Sequence, residues 1–233
     1  MPGVSRAPLL ASHMPANSPE GSGESGVMSA PRMSTMLWGV DLNKGLPRVL
    51  SNDGVVAVAG ELARVRNFLA AEFPWFGEET LGAELHAHIV SAKQCYLRTA
   101  CDLIELQHRE RTVGVLVGAP EDWSTYYVRM FAIVQSYQRP SMTRRFVREC
   151  LFDPLGAHHV ERVVGDTSPA NLGMARLFNE LHFHVTGNQL SDRWGPLIRY
   201  TRFLDPAREV AFLKRYPGII AGGGTRMRKE EPP

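Results

Sequence analysis

Gln138, Arg139, Arg144, Arg145 and Arg148 crowd into one short stretch of the chain. Guanidinium groups offer paired N–H donors, so such a cluster suits a phosphate or carboxylate. Through it runs Gln138-Arg139-Pro140-Ser141-Met142-Thr143, which joins an apolar stretch to a segment of helical spacing. Backbone N–H groups at a helix start converge on an anion, and the helix dipole adds to the attraction. Pro140 has no N–H and withdraws one donor. The plain alternative is a solvated helix face, with Arg144 and Arg148 on one side and Glu149 paired to Arg145. Histidines come in three close pairs, His86-x-His88, His158-His159 and His182-x-His184. A metal needs three or four converging ligands, and two histidines two apart on a helix do not share a face, so no metal is expected. Cys95, Cys101 and Cys150 are odd in number and lack CxxC spacing, which argues against a disulfide framework and a zinc knuckle.

The elements that must position these groups can be read from periodicity. Val55 to Ala59 is a short apolar run suited to a strand. Glu61 to Glu72 and Glu78 to Gln94 carry helical spacing, the first with Leu62, Val65 and Leu69 on one face, the second with Leu81, Leu85 and Ile89. Pro74 ends the first. Phe73-Pro74-Trp75-Phe76 is an aromatic cluster between them. Leu103 to Gln107 and Val113 to Val117 are strand-like, joined by a polar HRERT loop. Glu121-Asp122-Trp123 marks a turn before Tyr126 to Val134, a strand rich in β-branched and aromatic residues. Met142, Phe146 and Cys150 recur every four residues, which predicts a helix from about Ser141 to Phe152. His159 to Val164 is a strand. Ser168 as N-cap and Pro169 as first helical residue open another helix, with Met174, Leu177, Phe178 and Leu181 along one face. Val185 to Leu190 and Leu197 to Leu204 are strands, and Asp205-Pro206 opens a last short helix. Strands interleaved with helices predict an α/β fold, a mixed sheet of about seven strands flanked by helices.

Length and composition suit one such domain with tails: 233 residues, 44% hydrophobic and 21% charged. Residues 1–35 and 219–233 are rich in small and polar residues without hydrophobic period and read as disordered, leaving a domain over 36–218. A net charge of +2 gives no reason to expect nucleic acid. No stretch is apolar over a membrane-spanning length, and no signal-peptide core stands at the N-terminus, so a soluble cytoplasmic protein is expected.

The order of elements resembles the GNAT (N-acetyltransferase) superfamily over roughly Val55 to Leu204. Two motifs carry the resemblance. The first is the strand and loop ending in Gln138–Thr143. The family has Q/R-x-x-G-x-G/A there, and this chain keeps Gln138 but has Ser141 and Thr143 in place of the small residues. The second is Asn171 to Phe183, similar to the family pattern N-x-x-A-x-x-L-Y-x-x-x-G-F, with Asn171, Leu177 and Phe183 matching in spacing.

The resemblance implies transfer of an acyl group, most simply acetyl, from coenzyme A to an amine. Phe131, Ala132 and Ile133 would offer backbone groups to the pantetheine. Gln138, Arg139, Ser141, Met142, Thr143 and Arg144 would surround the pyrophosphate, and Asn171 and Phe178 would line the thioester arm. Acetyl-coenzyme A or another acyl-coenzyme A is the implied co-substrate, and the acceptor a small amine or a peptide or protein amine. The arginines equally suit an acyl carrier protein, and a longer acyl chain is the alternative within the same class. Two departures touch the chemistry. The family often has a Tyr acid where this chain has Phe178, and many members have a Glu where it has Arg129. Neither replacement can transfer a proton in that role. Tyr126, Tyr127, Tyr200, His182 and His184 are the titratable residues near enough in sequence to stand in. Loss of both usual groups also fits a binding module without catalysis.

Overall fold

The computed structural model describes residues 32–73, 83–191 and 194–217, with side chains of 83–87 and 89 left out. Helix α1 (Met33–Trp38) leads into strand β1 (Arg48–Val49) and strand β2 (Val55–Ala59). Helices α2 (Leu62–Glu72) and α3 (Ala83–Thr99) follow. Then come β3 (Asp102–His108), β4 (Arg111–Pro120) and β5 (Thr125–Ile133). Helix α4 (Pro140–Val147) runs through a π-helical turn, Arg148–Phe152, into α5 (Asp153–Ala157). Strand β6 (Arg162–Thr167), helix α6 (Leu172–Glu180), strands β7 (His184–Ser191) and β8 (Gly195–Phe203) and helix α7 (Pro206–Arg215) complete it.

All eight strands form one sheet in the order β1-β2-β3-β4-β5-β6-β8-β7. The expected mixed sheet of about seven strands is present, with the two-residue β1 as the addition. Every pairing is antiparallel except β5 with β6. That parallel seam is short. Only Thr125–Val128 pair with Arg162–Gly165, after which the two strands part. A bulge falls at the same level, because Val117 faces Met130 while Gly118 faces Val128, leaving Arg129 as the extra residue.

One face of the sheet carries α1, the α4–α5 stretch and α6, packed around Phe146, Leu151, Val163 and Phe178. The other carries α2 and the end of α3, packed around Val65, Phe68 and Val117. Helix α7 is fastened to β7 by buried His184, whose Nε2 lies 2.7 Å from Glu209 Oε1.

Several boundaries move, each for a local reason. The HRERT loop is a two-residue hairpin: Arg109 and Glu110 both take positive φ, 49° and 66°, as a twist-matched tight turn requires. Helix α4 starts at Pro140, one residue before Ser141, because proline is preset for a first helical turn. The π turn carries the helix past Phe152 to Ala157: Pro154 cannot donate to the preceding turn, and widening relieves its ring clash. Helix α6 starts at Leu172 with Asn171 as N-cap, so Ser168 and Pro169 lie in a turn ahead of it. There Ser168 takes the Ala170 and Asn171 amides on its own oxygens. Helix α1 takes in Met33 to Thr35, which the sequence assigns to the tail. It is fixed by a buried contact, Ser34 Oγ donating to Asp102 Oδ1 at 2.8 Å. The remaining tail assignments, Pro74 to Phe76, and the start of the helix predicted from Glu78 lie outside the described residues.

Candidate active site

Where β5 and β6 part, a cleft of ≈ 730 Å³ opens through the sheet. From the α4–α6 face it is lined by Val147, Leu151, Met174, Leu177, Phe178 and Phe183. From the other face α2 and α3 contribute Arg66, Asn67, Lys93 and Gln94. The floor is Tyr127 to Phe131 on one side of the gap and Gly165 to Ser168 with Asn171 on the other. Among the described residues no strand covers the edge of β5 turned away from β4, from Arg129 to Ile133, so an extended ligand can lie along it as a strand would.

Gly165 and Phe178 set the cleft's apolar wall. A Cβ at Gly165 would stand 3.2 Å from Phe178 Cζ, so glycine lets that ring lie against the strand without giving way. Phe178 then stacks on Tyr200 and meets Phe183, both at centroid distances of 4.6 Å. Asn171 caps α6, its Oδ1 accepting from the Met174 amide at 3.1 Å. At the helix end His182 has φ of 59°, in the left-handed region. That is where the pattern similar to Asn171–Phe183 has glycine, and the conformation explains why glycine suits the position.

A polar network closes the other end. Asp166, its side chain only 2% exposed, is the next-to-last residue of β6. It accepts from Tyr127 Oη at 3.1 Å, Gln189 Nε2 at 2.9 Å, and Arg199 Nε and Nη2 at 3.0 and 3.2 Å. Arg199 also reaches Glu121 at 3.0 Å. Its hydrogen bonds to Asp166, above all, raise the Arg199 pKa further. Burial, and then the Asp166 charge, push the Tyr127 hydroxyl up to about 12. Arg129 lies over Tyr96 at 5.1 Å and over Tyr127 at 5.8 Å from the ring centroids.

The candidates from sequence separate in space. Tyr127 lines the cleft, whereas its neighbour Tyr126 points through the sheet into the core and is 0% exposed. There it donates to Asp102 at 3.2 Å, and its ring lies so close over Gly118 that a Cβ would be 2.4 Å from Cε1. Tyr200 is buried behind Phe178 and is not among the lining residues. His182 is exposed on the turn after α6, and His184 is buried against α7. None of these four lines the cleft.

Of the cofactor candidates, Phe131, Asn171 and Phe178 line the cleft, while Ala132 and Ile133 carry buried side chains beside it. Met142 and Thr143 turn inward and are buried, and Ser141 faces out. Thr143 N donates to Arg139 O, Gln138 N to Gln135 O and Arg139 N to Tyr137 O. Ser141 and Met142 stand in the first turn of α4, where backbone amides have no intrahelical partner. Gln138 turns back, donating to Ile133 O at 2.8 Å. Three of the four arginines are paired: Arg139 with Asp53, Arg144 with Glu180 at 2.8 Å, and Arg145 with Glu149 at 2.7 Å. The patch is therefore largely neutralised, which weakens it as a dock for an acidic carrier. Asp166 and Arg199 are the site residues that sequence reading missed. Their signal was parity: Tyr127, Asp166 and Arg199 fall on one face when the strands are set in register.

Burial pushes the Cys101 and Cys150 thiols up to about 11, so neither supplies a ready thiolate. Among the described residues no three His, Cys, Asp or Glu side chains are grouped to hold a metal ion.

No protein-family model and no curated protein matches the sequence. Solved structures do match in shape. An acetyltransferase from Salmonella typhimurium that modifies the N-terminal serine of ribosomal protein L7/L12 superposes with a TM-score of 0.50 at 15% identity. The match covers 67% of this chain and 98% of that one. A putative GNAT-family acetyltransferase from Desulfovibrio desulfuricans gives 0.50 at 12% identity, over 65% of this chain and all of the other. Aminoglycoside 6'-acetyltransferase type Ii gives 0.50 at 10% identity, over 64% and 97%. The chain has the GNAT acetyltransferase fold. Within that fold, the parted strands, the bulge at Arg129 and the turn at His182 are features of this GNAT-like chain's own geometry.

Proposed function

We propose that this GNAT-like chain is an acyl-coenzyme A-dependent N-acyltransferase that moves an acyl group, acetyl in the simplest case, directly to an amine. The observation that carries the reading is the parting of β5 and β6 after Val128 and Gly165 into a through-going cleft. The pantetheine arm would lie along the open β5 edge, with its pyrophosphate at the Ser141 and Met142 amides. Phe178 and Asn171 would bound the thioester. The acceptor would enter from the α2–α3 face. An amine acceptor, small or at a protein N-terminus, is consistent with what the structural neighbours modify.

The chemistry asks little of side chains. The amine nitrogen attacks the thioester carbonyl carbon, an N–C bond forms, and the C–S electron pair leaves with sulfur. Tyr127 brings a phenol to the cleft, but its proton is committed to Asp166. Asp166 itself already accepts from Tyr127, Gln189 and Arg199. Holding amine and thioester together supplies roughly 7–11 kcal/mol, and β5 amides can polarise the carbonyl. The surplus amine proton passes to solvent at the mouth, and water reprotonates the thiolate.

Calorimetric titration with acetyl-coenzyme A tests the reading, and no binding at millimolar ligand would sink it. Ser141→Glu is the directed version. Ser141 is exposed in the first turn of α4, where an added carboxylate is tolerated or favoured by roughly 0.3–1 kcal/mol. The variant should melt like the parent yet bind coenzyme A at least tenfold more weakly. Thr143 is unsuitable for this test because it is buried. Competition between acetyl and longer-chain thioesters decides the chain length. The apolar wall around Phe178 and Leu181 is the place a longer chain would occupy.

A further inference from the structure

The α2–α3 half of the cleft is cationic. Arg66, Lys93 and Arg129 line it, and among the described residues none of the three has a carboxylate partner. Elsewhere Arg48, Arg111, Arg144 and Arg208 are ion-paired. The carboxylate inside the cleft, Asp166, is already held by Arg199, and Glu121 at its edge is held by the same guanidinium. Among the described lining residues, the three cations Arg66, Lys93 and Arg129 therefore face one carboxylate, Asp166, which Arg199 already holds.

Resting on the acyltransferase reading, we infer that the acceptor is a small amine that carries an anionic group, a carboxylate or a phosphate, beside the nitrogen to be acylated. The cleft must hold the thioester arm as well as the acceptor within ≈ 730 Å³, which leaves room for a small molecule. An anion on that molecule would be drawn to Arg66 on α2, Lys93 on α3 and Arg129 at the bulge. A polycationic acceptor would be repelled by the same three groups. The arrangement also addresses the missing base. Like charges nearby disfavour the protonated form of an amine and lower its pKa. The cations thus hold the acceptor by its anion while pressing its ammonium to release a proton to solvent. The free amine forms without a side chain to accept that proton. The subsequent transfer balances as before, with an N–C bond made, a C–S bond broken and the thiolate released.

The test is a panel in which each amine is paired with a twin lacking the anion. One arm holds amino acids with their amides, such as β-alanine and β-alaninamide. The other holds amino-sugar phosphates with their unphosphorylated sugars, such as glucosamine 6-phosphate and glucosamine. Kanamycin and spermidine are the polycations, and a short acidic peptide is included. All are assayed with the full chain and acetyl-coenzyme A. In at least one arm the anionic twin should have a kcat/KM at least tenfold higher, and the arm that responds tells carboxylate from phosphate. Lys93→Glu should erase or invert that preference through KM while leaving coenzyme A affinity, measured by calorimetry, unchanged. The proposal is overturned if the neutral twins or the polycations are preferred, if the peptide alone is acylated, or if nothing is acylated although coenzyme A binds. Failure to bind coenzyme A at all would instead bring down the acyltransferase reading beneath it.

Discussion

Asp102 shows how much one buried residue can control. It sits at the start of β3, 1% exposed, accepting from Ser34 and Tyr126. Burial pushes its carboxyl up to about 6 from 3.8, although Ser34, Arg32 and Tyr126 each pull the other way. A folded pKa above the unfolded one means the folded chain holds the proton more tightly. The stability this gives is complete below about pH 3.8 and is lost as pH rises through about 6. Asp102→Asn keeps the shape without the charge. Its stability relative to the parent should therefore grow by roughly 1.4 kcal/mol per pH unit across that window and then level off. Urea unfolding at stepped pH measures it, and a flat difference would show that the carboxyl titrates normally. Nothing in the sequence marked Asp102, because its partners Ser34 and Tyr126 are distant in the chain. Asp166 differs, since strand parity puts it on the face of Tyr127 and Arg199 once the register is set. By contrast Tyr127 was visible as a strand residue beside Arg129, though only register told it apart from Tyr126.

At the scale of elements, local chemistry was legible wherever a helix or strand announces itself by period. The strands and helices from β2 to α7 are present, but α3 runs past the expected Gln94 to Thr99, and β6 spans Arg162–Thr167 where His159 to Val164 was expected. What misled was capping. Ser168-Pro169 has the composition of a helix start, yet Asn171 provides the cap, because its Oδ1 reaches the Met174 amide. Asn171 therefore has two duties, cap and cleft wall. Asn171→Ala should cost about 1 kcal/mol of stability, within the usual range for a lost cap. Asn171→Asp should restore most of that stability. If Asn171 also meets the pantetheine, the Asp variant will fold like the parent and still bind coenzyme A more weakly. Equal binding by parent and Asp variant would leave the residue a cap alone. Helix α1 and strand β1 were missed because six and two residues are too short to display a period. They are held by contacts to β2, β3 and β4 and have little propensity of their own.

At the scale of the whole molecule, the fold was readable from element order, and the site's chemistry was only partly so. A helix start that binds phosphate, or a row of helix cations, looks the same in sequence whether it is paired or not. Arg144 and Lys93 illustrate this: the first is bound by Glu180 and the second stands in the cleft. The short parallel seam has a further consequence. Within the one sheet, β1–β5 and β6–β8 meet in a ladder of only four residue pairs, reinforced by side-chain links such as Tyr127 to Asp166 and Arg199 to Glu121. Such a joint is where a native chain opens locally, with less free energy than global unfolding requires. Amide hydrogens of β6 should exchange with deuterium faster than those of β3 and β4. A ligand spanning both lips of the cleft would close the joint from within. Acetyl-coenzyme A should then slow exchange in β6 and along Arg129–Ile133 while leaving β3 unchanged, which mass spectrometry of peptide fragments would resolve. Protection spread evenly over all strands would mean that the two halves already behave as one body.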